Sequence, residues 1–266
     1  MRFKDLAQLK RPEPTEITFN TLPLTIQITP YAKQKAFKIC ETVASVFGEN
    51  YEWYGYTLAE SANPELISDI GLPNNDLNLH DYATLGSARI AEFQEQLPLH
   101  RIINGWIHSH GDLDYRRFST TDEANHRTVL DFVAARTRRP LAKREMAVQG
   151  LTLLVKDQFS SADLEKGSVA LITDAPVSEV KIMETVYGSF CYCVVVGAGG
   201  WHEQVILHQE RGALSSRVRV VSQPAQIVEV GPGAGMTPAE MDVLQQDVKR
   251  KIRPNLNPPV ERMERM

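Results

Sequence analysis

Ile102-Ile103-Asn104-Gly105-Trp106-Ile107-His108-Ser109-His110-Gly111, followed after a short loop by Phe118-Ser119-Thr120-Thr121-Asp122, is the stretch on which the fold of this chain turns. The apolar run Ile102 to Ser109 reads as a buried strand. Ser119 to Asp122 has the form of a capping box: a serine side chain bonds the amide three residues on, and the acid there bonds back, so a helix opens at this point. Val129, Phe132 and Val133 are the apolar positions of that helix, and Pro140 marks its far limit. Arg136, Arg138, Arg139, Lys143 and Arg144 cluster at its end, where cations complement the helix dipole.

Upstream, Thr29-Pro30 supplies an N-cap and a first-turn proline. Ala36, Phe37, Cys40, Val43, Ala44 and Phe47 then recur at helical spacing until Gly48. Glu52 to Leu58 and Glu65 to Leu72 favour strand, and Leu85 to Leu97 carries Ile90, Phe93 and Leu97 on one helical face. The order is helix, strand, strand, helix, strand, helix. Downstream, strands are expected at 150–156, 169–173, 190–196, 204–208, 218–221 and 227–230, with a hairpin at Gly197-Ala198-Gly199-Gly200. Thr237-Pro238-Ala239-Glu240 is a second capping box, opening a helix that Pro254 stops. These elements predict an α/β fold (α+β in detail), a curved mixed sheet flanked by helices. We divide the chain into an extension over 1–20, one domain over 21–230 with an insertion at about 137–187, and a hinge, helix and flexible tail over 231–266. The insertion is expected to cover the site or to recognise a partner.

A chain of 266 residues with 42% hydrophobic types can bury a substantial core, which excludes intrinsic disorder and small stapled scaffolds. Its 29 Lys+Arg against 33 Asp+Glu, net −4, offer no global attraction to nucleic acid or to anionic lipid. Three cysteines, Cys40, Cys191 and Cys193, fit a reducing compartment and read as buried structural residues. The uncharged stretch Tyr187 to Trp201 is glycine-interrupted and too short to cross a membrane as a helix. With no export signal visible, the expectation is a cytoplasmic protein that binds neither nucleic acid nor membrane.

The chemistry lies in the opening stretch. Side chains at i and i+2 of a strand share a face, so His108 and His110 direct two imidazoles at one point about 6 to 7 Å of strand apart. Asp122, in the first turn of the next helix, is placed to be a third ligand. Two histidines and one carboxylate are an open zinc site with the fourth position left to water, and a nearby carboxylate must still take the proton. An H-x-H pair arises by chance roughly 0.2 times per chain of this composition, so its neighbours carry the specificity. Asp112 or Asp114 are alternative ligands or rim charges. Ser119 can be simply an N-cap, His126 reads as a helix-surface residue, and His80, His100, His202 and His208 read as structural or surface groups. Trp53, Tyr54 and Tyr56 read as core and rim packing.

Glu52-Trp53-Tyr54-Gly55, His108-Ser109-His110 and Ser119-Thr120-Thr121-Asp122, in that order, resemble the JAMM zinc metalloproteases, also called the MPN or JAB-domain family. The resemblance covers about residues 22–136, with a return at 190–208, and implies a JAB/MPN-like, cytidine-deaminase-like fold. It implies that His108, His110 and Asp122 hold one zinc ion. Glu52 would be the general base that passes a proton from water to the leaving amine, and Ser119 would stabilise the oxyanion. The implied activity is deubiquitinase-like isopeptidase cleavage at the C-terminus of ubiquitin or a ubiquitin-like protein. A bacterial conjugation system used in antiviral defence, with E1-like and E2-like proteins as further partners, is one setting. Two departures stand out: eight residues, 111–118, separate His110 from Ser119 where about seven is usual, and Gly111 replaces the common proline. A non-catalytic MPN scaffold and a PHP-type metal phosphoesterase are the alternative readings. Oligomeric state is left open.

Overall fold

The computed structural model describes residues 15–78, 86–111, 116–148, 180–197, 199–215, 217–231 and 233–254. The strands expected at 150–156 and 169–173, the tail beyond 254, His80, and the loop carrying Asp112 and Asp114 lie outside those residues.

A short edge strand, β1 (Glu16–Thr18), and β2 (Ile26–Ile28) precede helix α1 (Pro30–Phe47). Local chemistry fixes both ends of α1. The Thr29 hydroxyl accepts from the Ala32 amide, Pro30 presets the first turn, and Gly48, at φ 82°, takes the left-handed cap position and donates to the Ala44 carbonyl. Next come β3 (Trp53–Glu60), β4 (Leu66–Ile67), β5 (Asp69–Gly71), β6 (Asn75–Asn78), α2 (Ser87–Glu95) and β7 (Arg101–Ser109). Then α3 (Thr120–Thr137), β8 (Arg139–Val148), β9 (Val180–Gly197), β10 (Gly200–Gly212), β11 (Val218–Pro224) and β12 (Ile227–Glu229) lead to α4 (Pro238–Lys251) and β13 (Ile252–Pro254).

Eight strands form one mixed sheet in the order β1-β8-β9-β7-β3-β5, with β10 along the other side of β9 and β11 outside β10. The 18-residue β9 organises it: its first half pairs antiparallel with β8, its second half runs parallel to β7, and β10 returns along it as a hairpin. Strand alternation then sorts side chains to two faces. Phe190, Tyr192, Val194 and Val196 join Trp53, Ile107 and the buried side of α1 in one core, to which α4 adds Leu244 and Val248. Cys191 and Cys193 join Tyr54, Tyr56, Trp106 and the α3 residues Val129, Leu130 and Val133 in the other, with Ile90 of α2. Each large apolar side chain so buried contributes about 1.5–3 kcal/mol. The protein is thus a mixed α/β fold whose sheet, among the described residues, is flanked by four helices. Among the described residues no helix is long and apolar enough to cross a membrane.

Several local readings change in three dimensions. The segment 65–72 is two strands in different sheets, because Leu66 and Ile67 run parallel to β2 whereas Asp69 to Gly71 pair with β3. The basic cluster is only partly a helix-end feature: Arg136 lies in the last turn of α3 and Arg138 is its C-cap. Arg139 and Arg144 stand on β8, where they pair with Glu65 and with Glu16 and Glu210. The two flanks of the segment read as an insertion, β8 and the start of β9, form one antiparallel ladder. Residues 16–18, placed in the N-terminal extension by sequence, pair with that ladder's outer strand.

Candidate metal centre

Three elements converge at the end of β7. His108 and His110 share the face covered by α3, where Trp106 stacks on His108 with ring centroids 4.2 Å apart and holds its orientation. Asp122 enters from the first turn of α3. The capping box is fully formed: the Ser119 amide and hydroxyl both donate to Asp122 Oδ2 at 2.7 Å, and Ser119 Oγ accepts from the Asp122 amide at 3.2 Å. One local motif therefore starts the helix and also fixes the carboxylate.

The geometry is that of a ligand set. His108 Nε2 lies 2.9 Å from His110 Nε2, and Asp122 approaches the two nitrogens at 3.3 and 3.5 Å. All three side chains are buried, at 4%, 8% and 8% exposure. Tetrahedral coordination at about 2.0–2.1 Å sets ligand edges of about 3.3 Å, so one small divalent cation fits between these atoms. Among the described residues this is the group of His, Cys, Asp and Glu side chains able to hold a metal ion. Burial lowers the His108 pKa against the opposing pull of Asp122, which favours the neutral imidazole that coordinates metals. Burial alone would raise the Asp122 carboxyl, but hydrogen bonds from His108 and His110, reinforced by charge and by the Ser119 amide, hold it far below the ordinary carboxylate range.

Glu52 sits one residue before β3. In the antiparallel ladder Trp53 faces Ser109 and Tyr54 faces His108, so the register continued by one residue sets Glu52 across from His110. Parity puts Glu52 on the face of Tyr54 and Tyr56, which is the metal face. Two features not read from the sequence fix the backbone around it. The fully buried Asn75 side chain bonds both the amide and the carbonyl of Tyr54, at 2.8 and 3.2 Å. Gly111, at φ 59°, lies against the same segment: a β-carbon there would meet the Asn50 carbonyl oxygen at 2.3 Å and the Glu52 nitrogen at 3.2 Å. The left-handed φ excludes proline and favours glycine. Gly111→Ala is expected to cost about 1–3 kcal/mol and to displace Glu52; urea denaturation checks the first effect, and an unchanged midpoint contradicts it.

The structure also corrects the reading of His126. This residue is 2% exposed and packs against Phe118, Trp106 and His108 with ring centroids 4.5, 5.2 and 6.3 Å away. Its position one turn after Asp122 faces it inward, a signal legible only once the face of α3 is known. Burial, helped by the field of His108, lowers its pKa to about 3. The unfolded chain protonates near pH 6.5 while the native state does not until about 3. Stability is therefore complete above 6.5 and falls with pH below it, by up to about 1.4 kcal/mol per pH unit. In the metal-free protein His126→Phe should flatten that slope in urea midpoints taken between pH 7 and 4, and an unaltered slope contradicts the assignment.

The remaining predicted residues fall as follows. Trp53, Tyr54 and Tyr56 are core, at 2%, 9% and 0% exposure, and the three cysteines are buried and free. His208 Nε2 bonds the Pro23 carbonyl, and His100 lies by Glu60 at the surface. His202, read from sequence as a structural or surface group, has its ring against Gly197, and its pKa is lowered by burial and then by the fields of Arg116 and His110. Its neighbour Glu203 accepts from the Phe118 amide at 2.5 Å and so ties the β9–β10 hairpin to the loop entering α3. The chain matches no family model, and no curated protein matches it.

Proposed function

We propose that this protein is a zinc-dependent metalloprotease of isopeptidase type, on a JAB/MPN-like domain, cleaving peptide or isopeptide bonds at the C-terminus of a ubiquitin-like protein. The observation that carries this reading is the convergence of His108, His110 and Asp122 within coordination distance, with Glu52 across the ladder from His110. The motif order that suggested the family places these four residues far apart in the chain.

The ion would be held by the Nε2 atoms of His108 and His110 and by Asp122, and it supplies a Lewis acid that polarises the scissile carbonyl and acidifies water. Glu52 accepts the proton of the attacking water and returns it to the leaving amine, so that the amine departs neutral. Asp122 keeps its ligand geometry because Ser119 holds Oδ2 by two hydrogen bonds. Since Asp122 is ionised, the proton of the 2.7 Å Ser119 Oγ to Asp122 Oδ2 contact belongs to the serine, which makes Ser119 a positioning residue in this state. An extended substrate tail would pair its main chain with a strand edge beside the metal, as other extended peptides do on exposed edges.

The substrate class and a cytoplasmic conjugation pathway with E1-like and E2-like partners rest on the family resemblance. The deciding experiment incubates zinc-loaded protein with a panel of ubiquitin-like fusions, alongside chelated protein and Glu52→Gln. Cleavage of one fusion that both controls abolish supports the reading. Absence of bound metal in protein reconstituted with zinc overturns it.

A further inference from the structure

We propose that His202 is a catalytic residue of this site, donating an imidazole N–H to the oxyanion of the tetrahedral intermediate from the side opposite Glu52. The proposal deepens the hydrolase reading above and rests on it.

The placement follows from register. β7 and β9 run parallel, with Trp106 beside Cys193 and His108 beside Val195, so two further residues set His110 beside Gly197. Cys193 and Trp106 share the core under α3, and by alternation the side-chain direction of Gly197 is that same metal face. Gly197 has no side chain, and the His202 ring fills the place of one. An ideal β-carbon on Gly197 would meet His202 Cε1 at 2.3 Å, Nε2 at 2.6 Å and Nδ1 at 3.3 Å. The imidazole is therefore held over β9, the strand beside the one that carries His108 and His110.

A break in the ladder puts it there. The β9–β10 register shifts between Trp201 and Glu203, which leaves His202 as the extra residue of a bulge. Bulges re-aim side chains and are common beside active sites. Glu203, bonded to the Phe118 amide, then locks the bulged tip to the segment that presents Ser119 and Asp122. At the level of His110 this face thus reads, from the start of β3 past the end of β7 to the β9–β10 hairpin, Glu52, His110, His202. His202 is half-buried, so the ring is sheltered yet open to a bound substrate.

The chemistry divides accordingly. Attack forms the bond from water oxygen to carbonyl carbon, and the carbonyl π pair moves to oxygen. Glu52 takes the water proton on one flank, while the new oxyanion accepts the His202 N–H on the other. Collapse restores the carbonyl, breaks the C–N bond and delivers the Glu52 proton to nitrogen. Ser119 keeps its proton and donates it to Asp122 Oδ2 throughout, so a separate donor is required for the oxyanion.

Cobalt(II)-loaded full-length protein, titrated with acetohydroxamate and followed by its visible absorption, tests the assignment without a protein substrate. Its anionic oxygen stands in for the oxyanion. His202→Phe should weaken binding about 10-fold with full cobalt content, as expected for one lost hydrogen bond to a charged group. His202→Gln, which keeps an N–H, should stay within about 3-fold of the unmodified protein. Gly197→Ala should reproduce the loss by pushing the imidazole aside. Equal affinities in all four proteins, each with full cobalt, overturn the role of His202 and leave the metal site standing. Loss of cobalt from His202→Phe or Gly197→Ala also overturns it, because the ring then serves the metal. Failure of the unmodified protein to take up cobalt removes the underlying hydrolase reading as well.

Discussion

Asp122→Ala should leave the protein without its metal, lowering affinity by at least about 100-fold, and should cost about 1 kcal/mol or more of stability in the metal-free state. The two losses have separate causes. Asp122 is the carboxylate that meets both His108 Nε2 and His110 Nε2, so its removal leaves two imidazole nitrogens 2.9 Å apart and no negative charge to bind a dication. It is also the third helical residue of α3, returning the hydrogen bond of the Ser119 cap. Asp122→Asn separates these roles, since an amide oxygen can still accept from the Ser119 amide while the charge is gone. Metal analysis should then show a site as empty as in Asp122→Ala, with a urea midpoint closer to that of the unmodified protein. Full metal content in Asp122→Ala would remove Asp122 from the ligand set.

Glu52→Gln should lower hydrolysis by about 10²–10⁴-fold, the usual contribution of a positioned general base, while metal content and thermal stability stay unchanged. The separation is expected because Glu52 stands just before β3, where Gly111 lies against its backbone and the Asn75 side chain bonds the backbone of Tyr54, and is absent from the set of mutually close ligand atoms. A glutamine keeps the shape and cannot accept the proton. Undiminished turnover would move the base elsewhere; loss of metal would make Glu52 a ligand instead.

How much of this was legible before folding depends on the range of each interaction. The capping boxes at Ser119 and Thr237 and the Thr29-Pro30 start involve groups within a few residues, and each forms as written. The period-two alternation along Ile102 to Ser109 gave the shared face of His108 and His110, because pleat geometry is local too. Strand readings erred where a partner decided the outcome. Leu66-Ile67 and Asp69–Gly71 look like one strand until β2 and β3 claim them separately. Arg139 and Arg144 look like helix-end cations until Glu65, Glu16 and Glu210 arrive from distant segments.

The same division holds at the metal centre. Sequence by itself determined the candidate ligand types and their order, since strand pleat and helix cap are properties of neighbouring residues. Only tertiary structure decided that Glu52 stands across from His110, that Gly111 must be glycine, that His126 is buried and that the His202 ring occupies the place left by Gly197. Each of these is set by sheet register and by close approach between segments far apart in the chain, and those distances exist only once β3, β7, β9 and β10 lie side by side.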